Sequence, residues 1–333
     1  MLSYLSFNIS AEWAKAFLFD AKPAAVFFSS PPVPAILPAL RMAKRGRVPF
    51  ILDIRDLWPE IAVALGIMKE SSAIHRYLSG IVREAYRYAS AIVVTTPGDG
   101  EAVAKWGVKA ERIKLIPNGA NTEIFRPDEN ARRDIRAKLG IGDDLAVIYS
   151  GSFGRGMNDL DTLLETAYLL RDVKGIRFLL VGEGDKHCEL KDQAAKRNIP
   201  SITCIPSQPP RELNAYLNAA DIGFIPRRGL ESDTGGNVPV KMFEYMAVGL
   251  PVLLTSIPGC EAERIHRESG SGGVWCPAGD AKGTAEWIRE AKGNVDNLKA
   301  AAKAGREYVL INYDRAEGVR KLDDILKEVL SRA

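Results

Sequence analysis

Residues 236–255 read GNVPVKMFEYMAVGLPVLLT. A loop leads into a short helix over Val240 to Val248, Gly249-Leu250-Pro251 stops it, and Pro251 to Thr255 follows as a buried strand. In a parallel α/β sheet the ligand lies beyond the carboxyl ends of the strands, at loops and helix N-termini. Lys241 and Glu244 are three residues apart and rise from the first turn of one helix toward one point. A cation beside a carboxylate suits a ligand that carries phosphates and a diol. The same spacing also makes an ordinary ion pair on a helix surface, so the rest of the chain has to separate the two readings.

Working outward, the same rhythm of strand and helix recurs. Upstream, LAVIYSG, IRFLLVGEGD, SITCIPS and DIGFIP read as strands, separated by helices over Leu160 to Arg171, Glu189 to Arg197 and Pro210 to Ala219. Downstream come a helix over Cys260 to Ser269, the strand and loop GGVWCPAGD, helices from Ala281, and a charged amphipathic helix over Tyr313 to Ser331. Strands written as continuous apolar runs indicate a parallel sheet covered on both faces.

A stretch rich in Pro, Asn, Gly and Asp, PNGANTEIFRPDEN, precedes this domain and reads as a link to another. Before the link, AAVFFSS, VPFILDI, AIVVTTP and RIKLIPNG are strands. Between them lie a helix over Pro34 to Arg45, one over Glu60 to Ala89 interrupted near Gly66 and Ser71, and one over Asp99 to Trp106. At the front, Leu2, Leu5, Ile9, Trp13, Ala16 and Phe17 recur at helical spacing, for a helix packed on the sheet or, alternatively, facing a membrane. The expected architecture is α/β with two Rossmann-like domains facing a cleft: residues 1–125, residues 126–308, and a C-terminal helix over 309–333 returning to the first domain. Clefts between domains are preferred ligand sites.

Composition narrows the function. The 333 residues carry 45 Lys and Arg against 42 Asp and Glu, a net charge of +3 that gives no nucleic-acid footprint. One local basic cluster, Arg41, Lys44, Arg45 and Arg47, suits a solvated helix end or peripheral contact with a membrane surface or phosphate. Cys188, Cys204, Cys260 and Cys276 form no C-x-x-C pair, and His75, His187 and His266 are scattered, so neither a metal site nor a Ser-His-Asp arrangement is expected. No apolar stretch reaches a membrane span and the start lacks a signal peptide's pattern, which leaves the cytoplasm as the expected location.

Three further stretches carry candidate chemistry. LAVIYSGSFGRGMNDLDTLL sets Gly151, Gly154 and Gly156 between a strand and a helix, where backbone can approach a ligand and N–H groups can meet phosphate; a plain strand-to-helix turn is the alternative. LLVGEGD repeats the form with Gly182 and Glu183 and could approach a base or sugar. DIRDLWPE puts Asp53, Arg55 and Asp56 directly after a strand of the first domain, as acceptor-binding candidates or as a structural ion pair beneath Trp58.

Taken in order, DIRDLWPE, LIPNGANTEIFRP, YSGSFGRGMNDLDTLL, LLVGEGD and VPVKMFEYMAVGLPVLLT resemble the family-four retaining glycosyltransferases of the GT-B fold. The likeness is to the branch that assembles bacterial O-antigen, capsule and exopolysaccharide. The resemblance implies a nucleotide-diphosphate sugar held by the second domain, with a UDP-sugar such as a UDP-N-acetylhexosamine expected ahead of a GDP-sugar. It also implies a lipid-linked or saccharide acceptor held by the first. By that resemblance Glu244 holds the ribose hydroxyls, Lys241 charges the leaving diphosphate, and Gly151, Ser152, Phe153 and Gly154 lie against phosphates and sugar. Arg155, Asn158, Gly182 and Glu183 complete the donor side, and Asp53 or Asp56 orients the acceptor. Neither a metal nor another cofactor takes part in the implied chemistry.

The chain departs from the family pattern at named positions. Gly236 stands where a second glutamate is usual, eight residues before Glu244, which leaves the sugar-hydroxyl contact missing or assigned to Asn237 or Asp233. Ser152 replaces an arginine and Asn158 a lysine, so the diphosphate charge is expected to rest on Lys241 and Arg155. The family's opening strand, glycine-rich loop and a further βα unit have no match in these residues, so the first domain is expected to be truncated and to be completed by an upstream segment or a second polypeptide. Two rivals stand beside a transferase: a nucleotide-sugar epimerase on the same fold, and a non-catalytic donor-binding fragment.

Overall fold

The computed structural model describes residues 10, 23–154, 158–185, 187–228, 237–271 and 273–332. The expected helix over residues 1–20 lies outside the described residues, apart from Ser10. The chain forms two compact units, one of residues up to Pro117 with Asn237 and the residues from Glu317, the other of Asn118 to 234 and Val238–Ala316.

The first unit holds a parallel sheet of β1 (Val26–Ser30), β2 (Phe50–Ile54), β3 (Ala91–Val94) and β4 (Ile113–Leu115), in the order β1-β2-β3-β4. Side chains alternate across a strand, so its apolar run feeds two cores. Phe50, Leu52, Ile92 and Val94 pack under the helices Ile36–Gly46 and Ala73–Tyr88, whereas Ile51, Ala91 and Val93 meet Ile325 and Val329 of the final helix, Arg315–Ser331. Each buried Phe, Leu, Ile or Val side chain among these contributes about 1.5–3 kcal/mol, enough to hold short strands in place.

Helix ends differ from the sequence expectation for local reasons. The expected interrupted helix over 60–89 is two helices, Glu60–Ala64 and Ala73–Tyr88. Gly66 turns the chain at φ 69, and the Ser72 side chain restarts it by accepting from His75 N at 3.1 Å. The helix expected from Asp99 starts at Pro97, because Thr96 Oγ1 caps Asp99 N at 3.1 Å and proline suits the first helical position.

The second unit is a six-stranded parallel sheet of β5 (Leu145–Ser150), β6 (Ile176–Val181), β7 (Ile202–Ile205), β8 (Ile222–Pro226), β9 (Val252–Ser256) and β10 (Trp275–Pro277). Its order, β10-β9-β8-β5-β6-β7, is that of a doubly wound dinucleotide-binding sheet. Successive strands run outward from β5 in one direction and from β8 in the other, so the switch point lies between these two neighbours. The first sheet shows no such reversal among its described strands, which makes the carboxyl end of β5 and β8 the place where a ligand site is expected on topology alone.

Candidate functional site

At the carboxyl ends of β5 and β6 two glycine turns interlock. Gly151 N donates to Val181 O at 2.9 Å, Gly182 N to Ile205 O at 2.9 Å, and Phe153 N to Glu183 O at 2.8 Å. A Cβ on Gly182 would collide with the Gly151 carbonyl and stand 3.3 Å from the Phe153 ring, so only glycine lets the two turns meet. Phe153 is fully buried and stacks on Tyr149 at 5.9 Å between centroids, while Tyr149 Oη donates to Ser152 O at 2.8 Å. The turn is thus anchored from beneath and its backbone faces outward.

Above it sits the helix Val240–Ala247, tied to β5 by Tyr245, whose hydroxyl accepts from Ser150 N at 2.7 Å. Pro239 gives this helix no side-chain cap, which leaves first-turn N–H groups for water or an anion. Turn and helix enclose a cavity of about 490 Å3, lined by Ser150, Gly151, Gly182, Glu183, Lys241 and Glu244. Ser207, Gln208 and Leu213, from the segment after β7, close another side.

Lys241 and Glu244 both reach this cavity, and they do not simply pair with each other. Lys241 Nζ donates to Asn158 Oδ1 at 3.2 Å and lies 4.2 Å above the Tyr149 ring centroid; a Cβ on Gly151 would stand 2.7 Å from it. Burial, and then the charge of Arg227, bring its pKa down to about 7, against the opposing pull of Glu244. Burial raises the pKa of Glu244, and Arg315 and then Lys241 oppose the rise. A carboxylate offers acceptors for a diol, and an amine that titrates near neutrality gains most from a neighbouring anion. Among the described residues there is no group of three or more His, Cys, Asp or Glu that could hold a metal ion.

Comparison with known proteins gives this arrangement its family. Residues 5–119 match the family described as glycosyl transferase 4-like domain, and residues 144–294 match the one described as glycosyl transferases group 1. Both domains are glycosyltransferase domains. The chain is 26% identical over 309 residues to the probable glycosyltransferase WbjE of Pseudomonas aeruginosa, covering 90% of this chain and 74% of that protein. To the amylovoran biosynthesis glycosyltransferase AmsK of Erwinia amylovora it is 28% identical over 242 residues, or 72% of this chain and 53% of the relative.

The fold is that of GT-B glycosyltransferases. The sucrose-phosphate synthase from Thermosynechococcus elongatus aligns at a TM-score of 0.74 with 17% identity, covering 97% of this chain and 78% of that one. The Anabaena HepE structure in complex with UDP-glucose aligns at 0.70 with 16% identity, covering 91% and 79%.

In this glycosyltransferase chain the residues named from sequence do not all meet, and Gly154 serves the turn itself, donating its N–H to Ser152 Oγ at 3.1 Å. Gly151, Ser152, Gly182, Glu183, Lys241 and Glu244 line one cavity, with Asn158 joined to it through Lys241. The Phe153 ring is buried and stacked on Tyr149 beneath the turn. Arg155 lies outside the described residues.

Asp53 and Asp56 belong to the first unit. Asp53 is 1% exposed, and its Oδ2 accepts from Ser29 Oγ at 2.7 Å and Arg55 Nε at 2.8 Å, the structural ion pair that the sequence left open. Asp56 is half-buried, accepts from Asn237 Nδ2 at 3.0 Å, and has its pKa raised by burial, which that hydrogen bond partly offsets. Motif reading passed over Asp99, whose carboxyl is also pushed up, by burial first and lastly by the charge of Asp56. It passed over Ser207 and Gln208, in the loop between the carboxyl end of β7 and the next helix, and Leu213 on that helix, Pro210–Ala219, though such a loop is a signal in itself. No helix among the described residues is long and apolar enough to cross a membrane.

Proposed function

We propose that this chain transfers a sugar from a nucleotide-diphosphate sugar to a lipid-linked or saccharide acceptor, with retention of anomeric configuration, in the assembly of a cell-surface polysaccharide such as lipopolysaccharide. The observation that carries this reading is the convergence of Lys241, Glu244 and two interlocked glycine turns on one cavity at the carboxyl ends of β5 and β6. Glu244 takes the ribose diol, and Lys241 with the first N–H groups of its helix takes the diphosphate. The donor is a UDP-sugar, a UDP-N-acetylhexosamine being the first to try, in keeping with the UDP-glucose bound by the HepE structure. The names of WbjE and AmsK support polysaccharide assembly.

The chemistry of this reading is a same-face substitution. The bond between the anomeric carbon and the diphosphate oxygen breaks, the acceptor oxygen bonds to that carbon, and a diphosphate oxygen takes the acceptor's proton. Charge on the leaving group comes from Lys241 and the helix N-terminus rather than from a metal. Asp56, in the first unit, orients the acceptor. The protein works on the cytoplasmic side, where nucleotide sugars are made, with peripheral membrane contact through Arg41, Lys44, Arg45 and Arg47.

The test is proton NMR of the product formed from a UDP-N-acetylhexosamine and a polyprenyl-diphosphate saccharide acceptor. A product with the donor's own anomeric configuration is the expected result. An inverted product, or release of free epimerised sugar without acceptor, would refute it.

A further inference from the structure

Helix Ala73–Tyr88 buries one stripe, Leu78, Ile81, Val82, Ala85 and Tyr86, in the core of the first unit. Ile74 and Tyr77 take no part in that core. They stand one turn apart near the start of the helix, 47% and 59% exposed, and Ile67, in the turn before it, is 69% exposed. Three large apolar side chains in residues 67–77 are thus left in water by a helix whose packing is already complete.

The polar side of the same helix is basic. In residues 67–88 Lys69, Arg76, Arg83 and Arg87 stand against Glu70 and Glu84, and residues 36–47 hold Arg41, Lys44, Arg45 and Arg47 with no acid. Together the two stretches carry +6 whereas the whole chain carries +3, so the remaining residues are net −3. Lys44, near the end of helix Ile36–Gly46, joins the two helices: its Nζ pairs with Glu84 and lies 5.4 Å from the Tyr88 ring centroid. That pair neutralises the one acid of helix Ala73–Tyr88 within the protein, and Arg76 and Arg87 are exposed beside it.

We propose that helix Ala73–Tyr88 docks on a bilayer surface that carries anionic lipids, with Ile74 and Tyr77 entering the headgroup boundary and Arg76 and Arg87 meeting lipid phosphates. The inference deepens the peripheral contact proposed above through Arg41 to Arg47, and rests on that reading. An amphipathic helix with a basic polar side lies in the interface plane, held by its buried apolar area together with attraction to anionic headgroups. Tyrosine suits that depth, since its ring is apolar and its hydroxyl reaches water. The net negative charge of the other residues is repelled by the same surface, so the field turns this side toward it. A nucleic acid would use the arginines but leave Ile67, Ile74 and Tyr77 without a role.

The experiment is cosedimentation of the full chain with vesicles of phosphatidylcholine alone and of phosphatidylcholine with phosphatidylglycerol. The parent is expected to sediment with the anionic vesicles, to leave the neutral ones, and to be released by high salt. The double variant Ile74→Ser, Tyr77→Ser is expected to lose about tenfold in partition at unchanged charge, and Arg76→Gln and Arg87→Gln about fivefold each. With anionic vesicles the Tyr77→Trp variant is expected to show a larger blue shift of tryptophan emission than the parent. The substituted side chains are exposed, so the variants are expected to melt with the parent, which separates lost docking from lost folding.

If Lys44→Gln with Arg47→Gln frees the chain from anionic vesicles while the Ile74, Tyr77 double variant stays bound as the parent does, the contact through the first helix stands and the docking role of Ala73–Tyr88 is overturned. If the parent binds no vesicles, both fall. A dimer in solution that the Ile74, Tyr77 double variant abolishes, with no vesicle binding by the parent, would assign this face to a second copy and overturn the proposal. Should the double variant not fold, an unshifted emission in Tyr77→Trp overturns the insertion by itself.

Discussion

The hydroxyl of Tyr245 accepts the backbone N–H of Ser150 at 2.7 Å and lies 3.1 Å from Ser150 Oγ, which fastens the helix that carries Lys241 and Glu244 to the last residue of β5. Both residues are buried, so the bond is made away from water. Tyr245→Phe would leave the Ser150 N–H without its acceptor, at a cost of about 1–3 kcal/mol. Urea denaturation is expected to show a lower midpoint with an unchanged slope. A midpoint equal to the parent's would mean that this bond does not hold the helix.

The same ring explains Gly223 on β8. A Cβ there would come within 2.7 Å of Tyr245 Cγ and closer still to Cδ2. Gly223→Ala therefore forces the ring or the strand to move and is expected to destabilise by about 1–3 kcal/mol, the usual cost of overpacking. A thermal melt compares it with the parent; equal or higher stability would show that the ring has room to shift.

Much of this was readable from the chain. Leu145–Ser150 and Ile176–Val181 are apolar runs buried almost throughout, and a central parallel strand covered on both faces has to be written that way. Lys241 and Glu244 were found because helical spacing puts them on one face. Asn158 was read as a departure from a pattern, but its hydrogen bond to Lys241 depends on how the segment after β5 meets the end of β8, which no local period records. The burial of the Phe153 ring against Tyr149 was hidden for a similar reason, since glycines and serine surround it in sequence and its neighbour in space lies on the preceding strand. The burial of Asp53 and its bond to Arg55 were not legible in sequence because burial is a tertiary property.

Lys241 should leave a signature in stability as well as in binding. Its folded pKa of about 7 lies below the ordinary 10.5, so over that interval the unfolded chain binds more protons than the folded one. Unfolding free energy gains a contribution from this lysine that grows as pH rises through that window, and the contribution is lost as pH falls through about 7. Denaturation at a series of values from about pH 6.5 to about pH 9.5 is expected to show that rise in the parent and a flatter curve in Lys241→Met. Parallel curves would contradict the depressed lysine.

Turnover is expected to persist in excess chelator. The charge on the leaving diphosphate comes from Lys241 and a helix N-terminus in this account, and both remain when divalent ions are removed. Initial rates with and without EDTA check this. Loss of activity that added Mg2+ or Mn2+ restores would require a metal in the mechanism.

The central claim is that Glu244 and Lys241 hold a nucleotide-diphosphate sugar in the cavity of the second unit. Calorimetric titration of UDP-N-acetylhexosamine and other nucleotide sugars into the parent, Glu244→Ala and Lys241→Ala tests it most directly. Each substitution is expected to weaken binding by about 1.5–3 kcal/mol, the range for a hydrogen bond to a charged group. Donor bound as tightly by both variants as by the parent would contradict the claim.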